Sequence, residues 1–273
     1  MSENPTLKIG ELEVRRLGFG AMRLTGYRPV GDRREAIRIA RLAVELGVNF
    51  IDTADAYGIG ANEELLAEAL HPYADDLVIA TKIGHTRPSP SEWLPVGRPE
   101  YLRQAAELCL RRLRVERIDL LQLHRIDPLV PLADQLGALA QLRAEGKVRH
   151  IGLSEVSVAQ LEEARRQIEV VSVQNRYNVM DREHDAVLDY CTRVGIAFIP
   201  WLPIARESSP VLTEIAREID ATVQQLSLAW LLHRSPVVVP IPGTSSAAHL
   251  VANIEAARMT LNVQQSRRLN DLR

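Results

Sequence analysis

Apolar residues in this chain fall into short β-branched runs at Leu17–Met22, Val48–Asp52, Val78–Lys82, Ile118–His124, Val148–Ser154, Val170–Gln174, Ala197–Trp201 and Val237–Ile241. Between the runs the period changes. In "DRREAIRIARLAVELG", Ala36, Ile37, Ala40, Ala43 and Val44 recur at helical spacing. The same spacing predicts helices over Asn62–Leu70, Pro99–Leu113, Pro131–Glu145, Ser157–Arg166, His184–Arg193, Thr222–His233 and Ala247–Ala256. Eight strand-then-helix units without a long linker predict an α/β chain, a single (β/α)8 barrel over 1–273. A doubly wound sheet is the rival. No Gly-x-Gly-x-x-Gly follows the first run, and eight units favour closure. "LKIGELEVRRLG" alternates around Gly10-Glu11 and predicts a hairpin capping the N-terminal end of the barrel. "NVQQSRRLNDLR" predicts one extra surface helix.

Composition narrows the partners. The 273 residues carry a formal net charge of −2, with no basic stripe or acidic tail, so a nucleic-acid partner is not expected. No apolar run approaches the ~18 residues that would span a bilayer, so no membrane partner is expected. "MSENPTLKIG" lacks the basic start and apolar core of a signal peptide. Cys109 and Cys191 have neither metal nor redox spacing and read as reduced core thiols of a cytoplasmic protein.

Chemistry in a barrel collects where strands end at the C-terminal face. The runs end in Asp52, Lys82, His124, Ser154, Gln174 and Trp201, with Tyr57 just past the second. Each has a plainer use: Asp52 as a helix cap, Lys82 reaching for water, His124 as a core imidazole, Tyr57 as a loop anchor. Their convergence on one rim is what argues for a site. A carbonyl oxygen gaining negative charge needs a proton donor and a hydrogen-bonding neighbour. A free phenol, with a pKa near 10, is a slow acid at neutral pH. A nearby ammonium stabilises its phenolate, and a carboxylate holds the ammonium. Asp52, Lys82 and Tyr57 form such a chain, with His124 orienting the carbonyl. The histidines are scattered and supply no metal site, and Ser154 lies in no Gly-x-Ser-x-Gly elbow.

"GVNFIDTADAYG", "VIATKIG", "IDLLQLHR", "VRHIGLSEVS", "VSVQNRYN", "IPWLPI" and "IPGTSSAAHLVANIEAA" resemble, in order and spacing, the aldo-keto reductases. "SEWLP" and "QNRYN" resemble its bacterial branch that includes pyridoxal reductase. The resemblance implies an NADPH/NADP+ cofactor across the barrel mouth and a small-molecule aldehyde or ketone substrate. Tyr57 is then the general acid, Lys82 and Asp52 tune it, and His124 directs the carbonyl. Ser154 and Gln174 hold the nicotinamide carboxamide, and Trp201 stacks on the ring. The implied cofactor contacts extend to Gly20, Met22, Asp52, Leu202, Pro203, Ile204, Arg206, Ile241, Gly243, Thr244, Ser245, His249 and Asn253.

Two positions depart from the pattern. Glu155 stands where the family usually has Asn. Either its carboxylate meets the carboxamide, accepting but unable to donate, or it points away and Ser154 and Gln174 suffice. Near the nicotinamide, its charge would stabilise the oxidised cation. In "PGTSSAAHLVAN" the usual basic anchors are missing and His249 replaces Arg, so NADH is also possible. No acidic residue there rejects a 2′-phosphate, which favours NADPH. Met22, Tyr27, Trp93 and Arg125 are the expected substrate contacts, with Trp93 alternatively pinning its Pro-rich loop. The chain ends without the long C-terminal loop of many relatives, which predicts an open mouth, and a monomer or weak homo-oligomer is expected. Pyridoxal and a secondary-metabolite ketone are both candidate substrates. A non-catalytic NADP-binding regulator of the same fold, as in potassium-channel β-subunits, is the rival function. The retained Asp52, Tyr57, Lys82 and His124 favour turnover; Glu155 is the feature that leaves the regulator open.

Overall fold

The computed structural model describes residues 5–26, 32–205 and 209–272. Its first element is an antiparallel hairpin, β1 (Thr6–Ile9) and β2 (Leu12–Arg15), turned at Gly10 with φ +61°. The alternating units follow: β3 (Phe19–Gly20), α1 (Arg33–Glu45), β4 (Phe50–Asp52), α2 (Ala61–Leu70) and β5 (Val78–Ile83). A two-stranded ribbon, β6 (His85–Thr86) with β7 (Leu94–Pro95), precedes α3 (Pro99–Leu113). Then come β8 (Ile118–Leu123), α4 (Leu132–Ala144), β9 (Val148–Ser154), α5 (Val158–Arg165), β10 (Ser172–Gln174) and α6 (Asp185–Val194). The chain continues with β11 (Ala197–Phe198), α7 (Pro210–Glu218), α8 (Val223–Arg234), α9 (Ala247–Glu255) and α10 (Val263–Asn270).

Seven strands pair in parallel in the order β3-β4-β5-β8-β9-β10-β11, and the eighth place belongs to residues 237–242. On one side Phe198 N donates to Val237 O at 2.8 Å and Val239 N to Phe198 O at 2.9 Å. On the other, Gly18 N donates to Pro240 O at 2.9 Å and Gly20 N to Pro242 O at 3.3 Å. Pro240 and Pro242 have no N–H to return, so this stave offers β3 only carbonyls and forms no regular strand. The sheet therefore closes as the (β/α)8 barrel expected from the sequence. The first run is strand only at Phe19–Gly20 before a 3-10 turn over Ala21–Leu24.

Side-chain alternation builds two layers. Phe50, Val78, Ala80, Leu120, Ala197, Ile199 and Val239 point inward, and Ile9, Leu12 and Val14 of the hairpin plug the lower end. Ile51 and Ile79 face outward with α1 and α2, and Ile118, Leu121 and Leu123 face outward with α3 and α4. Cys109 and Cys191 lie buried and free in the helical layer. Sequence periodicity overlooked α7, although "SPVLTEIA" carries its signals: Ser209 accepts the N-cap bond from Leu212 N, Pro210 starts the helix, and Leu212, Ile215 and Ala216 are buried. The helix expected in the C-terminal tail is α10, opened by an Asn262–Gln265 capping box.

The hairpin sits against the barrel floor through His150 of β9. A Cβ at Gly10 would fall 2.4 Å from the imidazole, and Glu11 N donates to His150 Nε2 at 3.4 Å. Gly10→Ala therefore combines left-handed strain with a clash against a buried ring, and is expected to lower stability by about 2 kcal/mol. Urea unfolding monitored by circular dichroism measures that loss.

Candidate active site

The inward alternation of β4 and β5 brings Asp52 and Lys82 together at the top of the barrel. Asp52 pairs in register with Ala80, so Lys82, two residues on, stands one layer above it. Both side chains are sealed from solvent. Lys82 Nζ donates to Asp52 Oδ1 at 2.5 Å, to Thr53 O at 2.8 Å and to Tyr57 OH at 3.4 Å. Three donors for one ammonium find three oxygens, which is the condition for burying it. Burial pulls Lys82 down, but Asp52 and Tyr57 more than offset this and hold it above its ordinary value. Burial also pushes the Tyr57 phenol up, with the Lys82 ammonium pulling the other way, so the hydroxyl keeps its proton at neutral pH.

Asp52 is a junction. Its second oxygen accepts from Gln174 Nε2 at 2.8 Å and from Gln122 Nε2 at 3.2 Å. Sequence reading assigned Gln174 only to the carboxamide and overlooked Gln122. The available signal was a polar residue in "DLLQLH", two positions before His124 and on the same strand face.

The loop that carries Tyr57 is held from below. Gly58, Ile59 and Gly60 have φ of +60°, +54° and +90°, a left-handed run that turns the chain into α2. Thr53 Oγ1 donates to Asn62 Oδ1 at 2.6 Å, and buried Glu63 accepts from Thr81 Oγ1 at 2.5 Å and Arg112 Nε at 2.6 Å. Asp55 does not join the Lys82 chain through its side chain. Burial and the Glu63 charge push its carboxyl well above the usual range, and its backbone N–H donates to Lys82 O at 3.0 Å.

His124 follows β8 and faces Tyr57, with ring centroids 6.0 Å apart. A residue missed by the sequence reading lies beside it. His85, placed by the left-handed Gly84 (φ +103°), has its ring centroid 4.3 Å from that of His124. Each ring buries Nδ1 without a hydrogen-bond partner. Burial holds both imidazoles below their ordinary value, His85 at about 4, with Arg125 and Arg87 adding to the effect. Both are neutral at pH 7. An orphan acceptor is tolerated better than an orphan N–H, which favours the tautomer with the proton on Nε2 in each ring.

Trp93 from the β6–β7 ribbon stands edge-on to Tyr57, His124 and His85 at 6.2, 5.9 and 5.6 Å, and Arg87 stacks on it at 3.6 Å. Trp93 is thus a wall of the mouth as well as an anchor of its loop. Arg125 Nη1 donates to His124 O at 2.6 Å and to Ser154 Oγ at 3.0 Å. Met22 is half exposed on the turn after β3. Tyr27 and Arg206, expected at the substrate and the cofactor, lie outside the described residues.

Glu155 points away from Ser154's hydroxyl toward the next two strands. Its Oε1 accepts from Trp201 Nε1 and from Arg176 N, both at 2.6 Å, and His184 Nε2 lies 3.6 Å from Oε2. After Trp201, Leu202 (φ +53°) accepts from Asn178 Nδ2 at 3.0 Å, Pro203 is buried, and Ile204 packs on the helical layer. Ile241 is buried and packs with the barrel-interior cluster. Gly20 and Gly243 are where β3 meets the eighth stave, since a Cβ on either would lie 2.6 Å from a carbonyl of the other segment. Thr244 is buried and accepts from Ser246 N at 3.0 Å, Ser245 and His249 are exposed at the start of α9, and Asn253 is buried on that helix.

A closed parallel barrel with a lysine held between a carboxylate and a phenol, and an imidazole across from the phenol, is the arrangement of a carbonyl-reducing class of barrel proteins. Residues 16–273 match the Aldo/keto reductase family. An uncharacterised oxidoreductase of Schizosaccharomyces pombe is 46% identical over 277 residues, covering 99% of this chain and 90% of that protein. Pyridoxine 4-dehydrogenase of Escherichia coli is 42% identical over 274 residues, covering 96% of each chain. An aldo-keto reductase from Klebsiella pneumoniae, solved in complex with NADPH, superposes with a TM-score of 0.85 at 26% identity, covering 98% of this chain and 95% of that one. The chain belongs to the aldo/keto reductase family.

The lowered imidazoles make the pH dependence of stability calculable in sign. A histidine whose folded pKa lies below its unfolded value of about 6.5 contributes stability above that pH and loses it as pH falls. For His85 the loss runs from about 6.5 down to about 4. The urea midpoint is expected to drop between pH 7 and pH 5, and His85→Gln to flatten that drop.

Proposed function

We propose that this protein reduces an aldehyde or ketone to an alcohol with NADPH, Tyr57 acting as general acid. The observation that carries this reading is the buried Lys82, whose ammonium spans Asp52 at 2.5 Å and Tyr57 OH at 3.4 Å. The residues around the mouth suit a nicotinamide dinucleotide. Trp201 offers a partly exposed flat ring, β9 ends in the Ser154 hydroxyl, and α9 offers an N-terminus next to Thr244 and Ser245. The similarity to the NADPH complex from Klebsiella pneumoniae supports the same assignment. The cofactor would supply a hydride to the carbonyl carbon.

The protein's own groups manage the oxygen. His124, neutral with its proton on Nε2, donates to the carbonyl and sets its direction. As negative charge grows there, the Tyr57 hydroxyl gives up its proton to form the alcohol. The phenolate left behind is stabilised by Lys82, which Asp52, Gln122 and Gln174 hold in place. Solvent then reprotonates Tyr57. Trp93, His85 and Arg125 line the side from which a small carbonyl compound enters. Pyridoxal is the first aldehyde to try, because the E. coli relative is a pyridoxine 4-dehydrogenase.

The test is loss of NADPH absorbance over a panel of aldehydes and ketones that includes pyridoxal. Turnover of at least one is expected; tight NADPH binding without any turnover would point to a regulator instead. Tyr57→Phe is expected to slow the chemical step by ~10²–10⁴, the span of a general acid, with cofactor affinity nearly unchanged. A wild-type rate in that variant removes Tyr57 from the role. NADPH is expected to bind more tightly than NADH, and a tenfold preference for NADH would refute the cofactor assignment.

A further inference from the structure

Glu155 holds an unusual conformation for its residue type. Its φ of +55° places a long side chain in the left-handed region that only Gly, and to a lesser degree Asn and Asp, enter readily. Such strain persists only where surrounding contacts determine it. Those contacts are specific. One oxygen takes the Trp201 indole N–H at 2.6 Å and the Arg176 backbone N–H at 2.6 Å, and the other faces His184 Nε2 at 3.6 Å. Burial by itself would raise this carboxyl, but the donors from His184, Trp201 and Arg176 hold it at about 2, so it is ionised throughout the physiological range.

We propose that Glu155 is the positioning residue of Trp201 and a fixed negative charge beside the nicotinamide that favours the oxidised cofactor. The inference rests on the reading that Trp201 stacks against a bound nicotinamide. An indole on a strand end can rotate about two side-chain torsions; a charged acceptor at 2.6 Å from its only polar atom removes that freedom. The same carboxylate has an electrostatic effect whose sign follows from the ring charges. NADP+ carries a cationic ring and NADPH a neutral one, so an anion close by binds the oxidised form preferentially. Bound NADPH becomes a better hydride donor. Arg125, bonded to Ser154, and His184, which Glu155 holds above its ordinary value, both oppose this field, so the effect of the carboxylate is what remains after theirs.

The experiment measures dissociation constants of NADP+ and NADPH by calorimetry for the wild type, Glu155→Gln and Glu155→Ala, with near-ultraviolet circular dichroism of each free protein. Gln retains an oxygen for the indole N–H and loses the charge. It is expected to raise the NADP+/NADPH ratio of dissociation constants roughly tenfold, the scale for one charge at several ångströms in a protein-like dielectric. Its indole dichroism should match the wild type. Ala is expected to raise the ratio similarly, to weaken both forms and to diminish the indole signal. A ratio unmoved in both variants while the wild type binds cofactor overturns this proposal alone. A wild type that binds neither form overturns it together with the proposed function.

Discussion

The site is organised around one buried ammonium. Lys82 has no exposed surface, and an unpaired charge at such a depth would cost several kcal/mol or lose its proton. It keeps the proton because Asp52 carries the opposite charge and because Thr53 O and Tyr57 OH occupy the remaining directions. Asp52 meets the same demand in turn, its second oxygen taking Gln122 and Gln174. Four strands of the barrel thus contribute to satisfying a single cation. Loosening any one of them changes the distance between the ammonium and the phenol.

That requirement explains features far from the chemistry. Tyr57 reaches Lys82 from a loop, and loops are poor holders of position unless braced. Here the brace is the left-handed turn at Gly58–Gly60 together with Asn62 and Glu63 in the first turn of α2. Glu63 is itself fully buried and is matched by Arg112 and Thr81. A second charge pair therefore sits behind the first, fastening the Tyr57 loop to β5 and α3. At the opposite end, Ile9, Leu12 and Val14 seal the barrel floor. Apolar below and polar above, the interior changes character halfway up β4 and β5, between Phe50 and Asp52 and between Ala80 and Lys82.

Most of the architecture was legible because strand and helix periods are local signals. β5, β8 and β9 and nearly every helix lie where the apolar spacing put them, α3 over the same residues. The eighth stave was legible as an apolar run, yet Pro240 and Pro242 deny it a regular ladder, and only its carbonyl partners reveal its place. Helix α7 was missed although its cap and apolar spacing are present. Of the rim residues, Asp52, Lys82 and His124 were found at the ends of apolar runs and Tyr57 just past one, and the structure brings them together. Gln122 and His85 were not found. One looks like a lone polar residue inside a strand, the other like a loop histidine.

The residue pattern alone determined that the strand-then-helix units would close into a barrel, that the strand tips would gather an acid, an amine, a phenol and an imidazole, and that Glu155 would directly follow Ser154 at the end of β9. Each of these depends on spacing within a few residues of one segment. The tertiary structure decided which of those groups meet. Whether Glu155 turns to the side of Ser154's hydroxyl or to Trp201, whether Gln174 joins Asp52, and whether His85 lies against His124 depend on the stagger between strands and on side-chain torsions. Those quantities are set by contacts between segments up to 122 positions apart, as with Asp52 and Gln174. Local periodicity carries no information about them, which is why the chemistry was readable and its wiring was not.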